Sequence, residues 1–334
     1  MIPKRQRLLA LLADGELHSG VQLATSLGVT RAAVWKLVAE LRERDIEVRS
    51  HDRRGYDLPA PVELVDDERM RAAARESGWP FPVQPEVQFE IGSTNEYLYA
   101  APAPPPGSPR VVFAELQNAG RGRRGRSWLA PFGSGLTFSI GWTFADMPAD
   151  LSALSLAVGV QVARGLHRLG ATDVRLKWPN DLVVGRRKLG GLLTQLRSEA
   201  GGPAYVVIGL GLNLDLGDAA RAQIRGPDAA PVCDLRDVMG DRAPARNRVA
   251  ASVVSAMLEG LAQFAQAGFA PFAAAWQSLD SLHGEPVRIV QGNGVTEGVA
   301  RGVDRDGALR VERDGRIERY VSGDVSLRAA GAPA

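Results

Sequence analysis

The chain has 334 residues, 45% hydrophobic and 23% charged, with a formal net charge of +2. These proportions belong to globular proteins and exclude a disordered, fibrous or collagen-like chain, while the near-balanced charge points to no polyanionic partner by itself. One cysteine, Cys233, excludes an internal disulfide and a cysteine-rich metal site; with only four scattered histidines, no protein-bound zinc is expected, and a reducing compartment, the cytoplasm, fits best.

No run of about 18 apolar residues occurs, so no membrane-spanning helix is expected, and the basic-then-apolar start, "MIPKRQRLLALLADG", is too short in its apolar part for a signal peptide. Residues 4 to 13 place Leu8, Leu9, Leu11 and Leu12 on roughly one helical face. A second helix follows, with Ser19 as its cap and Val21, Leu23, Ala24 and Leu27 as its buried face. After a turn at Gly28, Thr30 starts a third, with Val34, Leu37, Val38 and Leu41 facing inward. Two helices joined by a short glycine-containing turn predict a helix-turn-helix, and "EVRSHDRRGYDL" adds the two short strands of a wing. Gly20, Thr30, Arg31, Ala32, Trp35 and Lys36 would face a DNA major groove, with Arg53 and Arg54 at the wing tip near phosphates. Residues 1 to 54 hold ten Lys/Arg against seven Asp/Glu, so DNA binding rests on where the basic residues fall, and a small helical interaction domain is the alternative.

Beyond the segment "LPAPVELVDDERM", a proline-containing hinge, the pattern changes to alternating strands and helices, which sets a domain boundary near residues 60 to 68. "APAPPPGSP" (101–109) is a surface loop, "RVVFAEL" and "SGLTFSIGWTF" are strands, and "DLSALSLAVGVQVARGLHRLG" is a helix. "DVRLKWPNDLVVGRRKLGGLLTQL" reads as strand, Pro179 turn, strand and tight basic turn, and "AYVVIGLGLNLDL" as a buried strand ending in glycines and Asn213. Residues 215 to 232 read as a mobile polar loop, and a long helix runs from about Arg246 to Ala265. From Pro286 onward, short strands separated by "QGNG", "DRDG" and "RDG" outline a small β-barrel.

Between the first two strands lies "GRGRRGRSW" (120–128), four arginines and three glycines in nine positions. It formally matches a dinucleotide fingerprint through Gly120, Gly122 and Gly125 and a phosphate loop through Gly120, Gly125, Arg126 and Ser127. Both need a helix to follow, because helix N-terminal amides bind the phosphates, and here a strand follows. The glycines instead let the backbone approach a ligand while guanidiniums fork onto phosphate or carboxylate. With "GSTN" (92–95), "KWPND" (177–181) and "GRRKLGG" (185–191), the loop supplies hydroxyls, amides and cations but no nucleophile with an adjacent base. Such a donor set suits direct displacement at phosphorus, where positioning and charge stabilisation carry the rate.

Over nearly its full length the chain resembles the bifunctional biotin protein ligase and biotin operon repressor family. The resemblance rests on "HSGVQLATSLGVTRAAVWK", "STN", "QNAGRGRRGRSW", "KWPNDL", "RKLGG", "GLGLNL", "ALRVERDG" and "GDVSLR". It implies a multi-domain α+β protein: a winged helix-turn-helix at 1–60, a class II synthetase-like α/β ligase domain with a mixed sheet at 66–280, and an SH3-like β-barrel at 284–330. It implies that biotin attacks the α-phosphate of ATP to give biotinyl-5'-AMP, and that a lysine of the biotin carboxyl carrier protein of acetyl-CoA carboxylase then attacks the anhydride. Ser93, Thr94, Asn95 and Gln117 would bind biotin, with Arg121, Gly122 and Arg123 closing over it and Lys188 at its carboxylate. Lys188, Arg121 and Arg123 would serve catalysis, and Arg121, Arg123, Arg126, Trp128, Lys177, Asn180, Lys188 and Asn213 would line the adenylate side. Asn180 and Asn213 would either contact the adenylate or position the turn strands, Trp178 reads as a core aromatic, and Asp181 would help hold the magnesium that accompanies ATP. No permanently bound cofactor is implied; operator DNA and a homodimer formed with the adenylate are.

Three departures stand out: Gly92 where an acidic residue often precedes "STN", Asn118 where a second glutamine often follows Gln117, and a 215–232 segment without an aromatic to pack over adenine. A lipoate ligase of related fold, or a biotin-sensing transcription factor without ligase activity, would share much of this pattern.

Overall fold

The structure is a computed structural model describing residues 3–77, 83–198, 202–224, 231–291 and 294–327. Its first three helices, α1 (Lys4–Leu12), α2 (Gly20–Leu27) and α3 (Arg31–Arg42), close over a core that includes Leu8, Leu9, Leu12, Leu23, Leu27, Val34, Val38 and Leu41. Ser19 caps α2 in a reciprocal box with Gln22, Gly28 makes the turn at φ +61°, and the Thr30 hydroxyl caps α3 by accepting from the Ala33 N–H at 3.2 Å. Each such cap contributes about 1 kcal/mol. Val21, expected inside, is 58% exposed: it lies about a third of a helical turn away from the face that Leu23, Ala24 and Leu27 share. The wing is an antiparallel pair, β1 (Arg49–His51) and β2 (Gly55–Asp57).

The middle of the chain builds a seven-stranded mixed sheet from β3 (Glu86–Ile91), β4 (Arg110–Gln117), β5 (Gly135–Phe144), β6 (Arg175–Lys177), β7 (Asp181–Val184), β8 (Arg187–Ser198) and β9 (Ala204–Asn213). Its order is β3-β4-β5-β9-β8-β7-β6, with only the β3–β4 pair parallel. The helices are α4 (Asp67–Ser77), α5 (Thr94–Ala100), α6 (Leu154–Arg168), α7 (Asp218–Ile224), α8 (Leu235–Met239), α9 (Arg246–Ala267) and α10 (Ala273–Leu279). Strand alternation sorts the two faces. Leu136, Phe138, Ile140 and Trp142 of β5, with Val206, Ile208, Leu210 and Leu212 of β9, join α6 and α9 in the main core, each contributing about 1.5–3 kcal/mol of burial. The intervening residues, smaller or polar, face α5 and leave room for a cleft.

The segment read as a hinge is tied, at adjacent residues, to the head on one side and to the body of the chain on the other. The Val62 N–H donates to the Ala13 carbonyl at 2.8 Å, and Arg246 at the start of α9 reaches the Glu63 carbonyl and the Glu115 carboxylate, an ion pair of 2.5 Å buried on both sides. The edge strand β3 also meets the helical head: Phe89 enters its core, and Glu90 accepts from Arg5 at 2.9 Å and Arg44 at 2.7 Å.

At the end of the chain, β10 (Pro286–Gln291), β11 (Gly294–Val303), β12 (Leu309–Arg313), β13 (Arg316–Tyr320) and β14 (Asp324–Leu327) form a five-stranded antiparallel sheet in the order β13-β12-β11-β10-β14. Val287, Ile289, Leu309 and Val311 continue the main core, and the Trp178 indole N–H donates to the Gly307 carbonyl at 3.0 Å. Part of the expected loop at 215–232 is instead helical, as α7, because Arg221 pins it by binding the Leu216 carbonyl and the Asp234 and Asp237 carboxylates; residues 225–230 of that loop lie outside the described residues. No helix of the described residues is long and apolar enough to cross a membrane.

Candidate active site and nucleic-acid interface

The cleft opens on the α5 side of the sheet, and two glycines of β9 make its floor. Gly209 and Gly211 point to one face, two residues apart; a Cβ on the first would run into the Asn95 carboxamide and one on the second into the Trp128 indole. Backbone alone is therefore tolerated there. A Cβ on Gly120 would likewise strike the Trp128 carbonyl, so the arginine loop seats its tryptophan only because glycine stands both in the loop itself and on β9.

Along one wall runs a chain of neutral hydrogen bonds. The Gln117 carboxamide oxygen accepts from the Thr94 N–H at 2.8 Å and from its hydroxyl at 3.2 Å; that hydroxyl meets Ser139 at 2.7 Å, and Ser139 donates to the Asn95 oxygen at 2.6 Å. Asn95 passes the chain on by donating to the Leu193 carbonyl and the Gln195 side chain, and Gln195 donates to Glu96. Ser93, Thr94 and Asn95 are all buried, and the Ser93 side chain makes no capping bond to α5. Preorganised in this way, the wall suits a polar but uncharged group.

The opposite wall is cationic. Lys188 Nζ lies 2.7 Å from Asp181 and 5.7 Å from the centroid of the Trp128 ring, within cation–π range. Its backbone is clamped: the Lys188 N–H donates to Pro231, its carbonyl accepts from Cys233, and the Asn213 side chain donates to the Cys233 carbonyl at 3.0 Å. Arg123 donates to the Asn180 side chain at 3.3 Å, and burial pulls its guanidinium below its ordinary value. Burial does the same to the Lys177 ammonium, against the opposing pull of Asp181. Arg121 is paired with Glu96 at 3.1 Å, while Arg126 pairs with Asp324 of β14 at 2.8 Å. Desolvated cations facing one space suit an anionic ligand.

Ser93, Thr94, Asn95, Gln117, Arg121, Gly122, Arg123, Arg126, Trp128, Lys177, Asn180, Asp181 and Lys188, singled out from sequence, all line this cleft. Asn213 does not; it is buried and its amide is spent on the strand ends, the positioning alternative rather than ligand contact. Trp178 is 2% exposed and lodged between the central and C-terminal sheets, as a core aromatic would be. Asp181 faces Lys188, and no group of three or more His, Cys, Asp or Glu able to hold a metal occurs among the described residues. Sequence reasoning missed Ser139, Gln195, Glu96, Gly209, Gly211 and Asp324. Alternation along "LTFSIGW" and the glycines two apart in "GLGLN" carried a signal for three of them; Asp324 arrives from a strand almost two hundred residues away and carried none.

A second concavity, about 470 Å³, lies between α3 and the wing, lined by Gly20, Arg31, Ala32, Trp35 and Arg53 among others. Trp35 is 61% exposed, and Lys36 and Arg54 are exposed beside it. Thr30 stands apart in role, its hydroxyl used as the cap of α3.

Three family models match: the HTH domain at 4–57, the biotin/lipoate A/B protein ligase family at 90–213, and the biotin protein ligase C terminal domain at 282–328. The chain is 37% identical over 324 residues to the bifunctional ligase/repressor BirA of Escherichia coli, covering 97% of each. With the protein of the same name from Bacillus subtilis it shares 28% over 323 residues, covering 94% of this chain and 95% of that one. Among solved structures it is similar to the biotin protein ligase of Aquifex aeolicus in complex with biotin and ATP, at 26% identity and a TM-score of 0.61, covering 74% of this chain and 99% of that one.

Proposed function

The chain belongs to the bifunctional biotin protein ligase and repressor family, and from that premise we propose how its cleft and its helical head divide the work. The protein is an ATP-dependent biotin protein ligase. The observation that carries the reading is the pairing of a neutral hydrogen-bonding wall with a cationic one across a single cleft, since biotin has an uncharged ureido ring at one end and a carboxylate at the other. The ureido group lies on the wall of Ser93, Thr94, Asn95 and Gln117, and the carboxylate points to Lys188.

ATP enters as its magnesium complex, with Lys177, Asn180, Arg123 and Arg126 on the phosphate side and Asp181 as the carboxylate nearest the ion. A biotin carboxylate oxygen attacks the α-phosphorus, a phosphorus–oxygen bond forms, and the bond to pyrophosphate breaks. Lys188 leaves Asp181 to bridge the two anions, offsetting their repulsion as the five-coordinate arrangement forms. Arg121, Gly122 and Arg123 close over the adenylate and keep water from it. The carrier lysine's amine then attacks the anhydride carbonyl, and AMP leaves. The carrier is the biotin carboxyl carrier protein of acetyl-CoA carboxylase; a lone, buried cysteine supports a cytoplasmic setting.

The head binds operator DNA through α3 and the wing, as a homodimer when biotinyl-5'-AMP fills the cleft. Exposed Arg31, Lys36, Arg53 and Arg54 support this. Pyrophosphate release from ATP and magnesium with biotin but not with lipoate, followed by label on the carrier, is the expected result. Release with lipoate instead, or with neither acid, would sink the ligase reading in its present form. A salt-dependent shift of operator DNA tests the repressor half separately.

A further inference from the structure

The arginine loop is held from outside the ligase domain. Arg126 Nη2 lies 2.8 Å from Asp324 Oδ2, Arg124 Nη1 lies 3.4 Å from the same oxygen, and Arg124 also donates to the Val290 carbonyl at 3.3 Å. Val290 and Asp324 are register partners on the adjacent strands β10 and β14, so one loop grips one rung of the C-terminal sheet. Asp324 and Val325 reach the cleft itself, and the sheet beneath them is seated on the core through Trp178 and Ser152. Among the described residues that line the cleft, only Asp181 and Asp324 are carboxylates, against Arg121, Arg123, Arg126, Lys177 and Lys188. Asp181 is taken by Lys188, which leaves Asp324 facing the guanidiniums.

We propose that Asp324 is a latch for the arginine loop and a stand-in for phosphate: it holds Arg124 and Arg126 while the cleft is empty and yields them to the phosphates of ATP. This rests on the ligase reading for its second half only. The thermodynamic consequence has a definite sign. A contact made in the empty protein and given up in the complex stabilises the empty protein alone, so removing it strengthens nucleotide binding while loosening the empty loop. A contact present in both states would leave ATP affinity unchanged, and one made only in the complex would weaken it. Because both arginines are partly exposed, the pair is modest, and its removal shifts each equilibrium about fivefold.

The test uses the full-length chain, wild type, Asp324→Asn and Asp324→Glu. Trypsin cleaves after arginine, so nicking within residues 121 to 126, read by mass spectrometry, reports how often the empty loop is open, and needs no catalysis. Asn should raise the nicking rate about fivefold, and Glu, which keeps the charge, should return it toward wild type. Under biotin saturation, the KM for ATP of Asp324→Asn should fall by a similar factor. Equal nicking in all three proteins would overturn the latch. A KM for ATP that is unchanged or raised in Asp324→Asn would overturn the exchange with phosphate. If wild type releases no pyrophosphate, the ligase reading fails, while the nicking comparison still decides the latch.

Discussion

The cleft and the winged-helix face are both basic, yet they hold their charge in opposite ways. In the cleft the cations are engaged before any ligand arrives: Lys188 with Asp181, Arg121 with Glu96, Arg126 with Asp324, Arg123 with Asn180. On the groove-facing side of the head, Arg31, Lys36, Arg53 and Arg54 have no ion pair among the described residues, while Arg49 and His51 pair with Asp57 inside the wing and Arg5 and Arg44 pair with Glu90 on the far side. A site for one small anion gains from fixed geometry and a single protonation and pairing pattern. A surface for a polyanion gains from free charges that release counterions.

The largest effect should come from breaking the fixed side. Lys188→Ala should lower the rate of biotin-dependent pyrophosphate release by about 10²–10³, as loss of a single preorganised charge at a transition state does, with the change read in single-turnover kinetics. A normal rate would remove Lys188 from the reaction. Next, Gly211→Ala should push the Trp128 indole out of its seat and raise the KM for biotin and ATP together by about tenfold to a hundredfold, a cost of overpacking on the order of 1–3 kcal/mol. Its counterpart on the head is milder and has a different signature: Arg31→Ala or Arg53→Ala should weaken operator binding and reduce the slope of log affinity against log salt by about one each. A variant that loses affinity at an unchanged slope would place its arginine away from phosphate.

The smallest effect concerns the wing itself. The Arg49 guanidinium bonded to Asp57 holds its carboxyl below the usual carboxylate range, with His51 adding to the effect. A lowered folded value means that the pair stabilises the wing above the ordinary carboxylate range and that the contribution is lost as pH falls through the lowered value. Operator binding by wild type should therefore hold through mild acid and decline only as pH falls below the usual carboxylate range, and Arg49→Gln should show a lower plateau with a flatter acid limb.

How much of this was legible in the sequence differs between the same two regions. The head was readable because its signals are local: Ser19 nine residues before Gly28, Thr30 just after it, and leucines at helical spacing. Only Val21 misled, since an apolar residue in the first turn need not share the buried stripe. The cleft was readable as an inventory of residues but not as a wiring diagram. Ser139 and Asn95 lie 44 residues apart and Arg126 and Asp324 lie 198 apart, so their meeting depends on strand order, which no short pattern encodes. Asn213 shows the reverse: its place at a strand end was visible, but that its amide serves the backbone of Lys188 and Cys233 required the fold. β3 and α5 were missed because their polar and aromatic residues alternate with no clean period; their order comes from neighbours, Phe89 against the head and Leu98 against β4 and β9.

The glycine floor of the cleft has a consequence for anyone wishing to reprogram which acid is accepted. A wall already reduced to backbone cannot be carved deeper, so a bulkier ring system cannot be admitted by trimming β9 at Gly209 or Gly211. Extra room has to come from the groups that those glycines accommodate, Asn95 and Trp128, and each is also a link to something else: Asn95 to Ser139 and Gln195, Trp128 to Lys188. Broadening the ligand range from this side therefore loosens the hydrogen-bonded wall or the lysine in the same stroke, and libraries aimed at new acids should begin at Thr137 of β5, which lines the cleft outside that wall, instead.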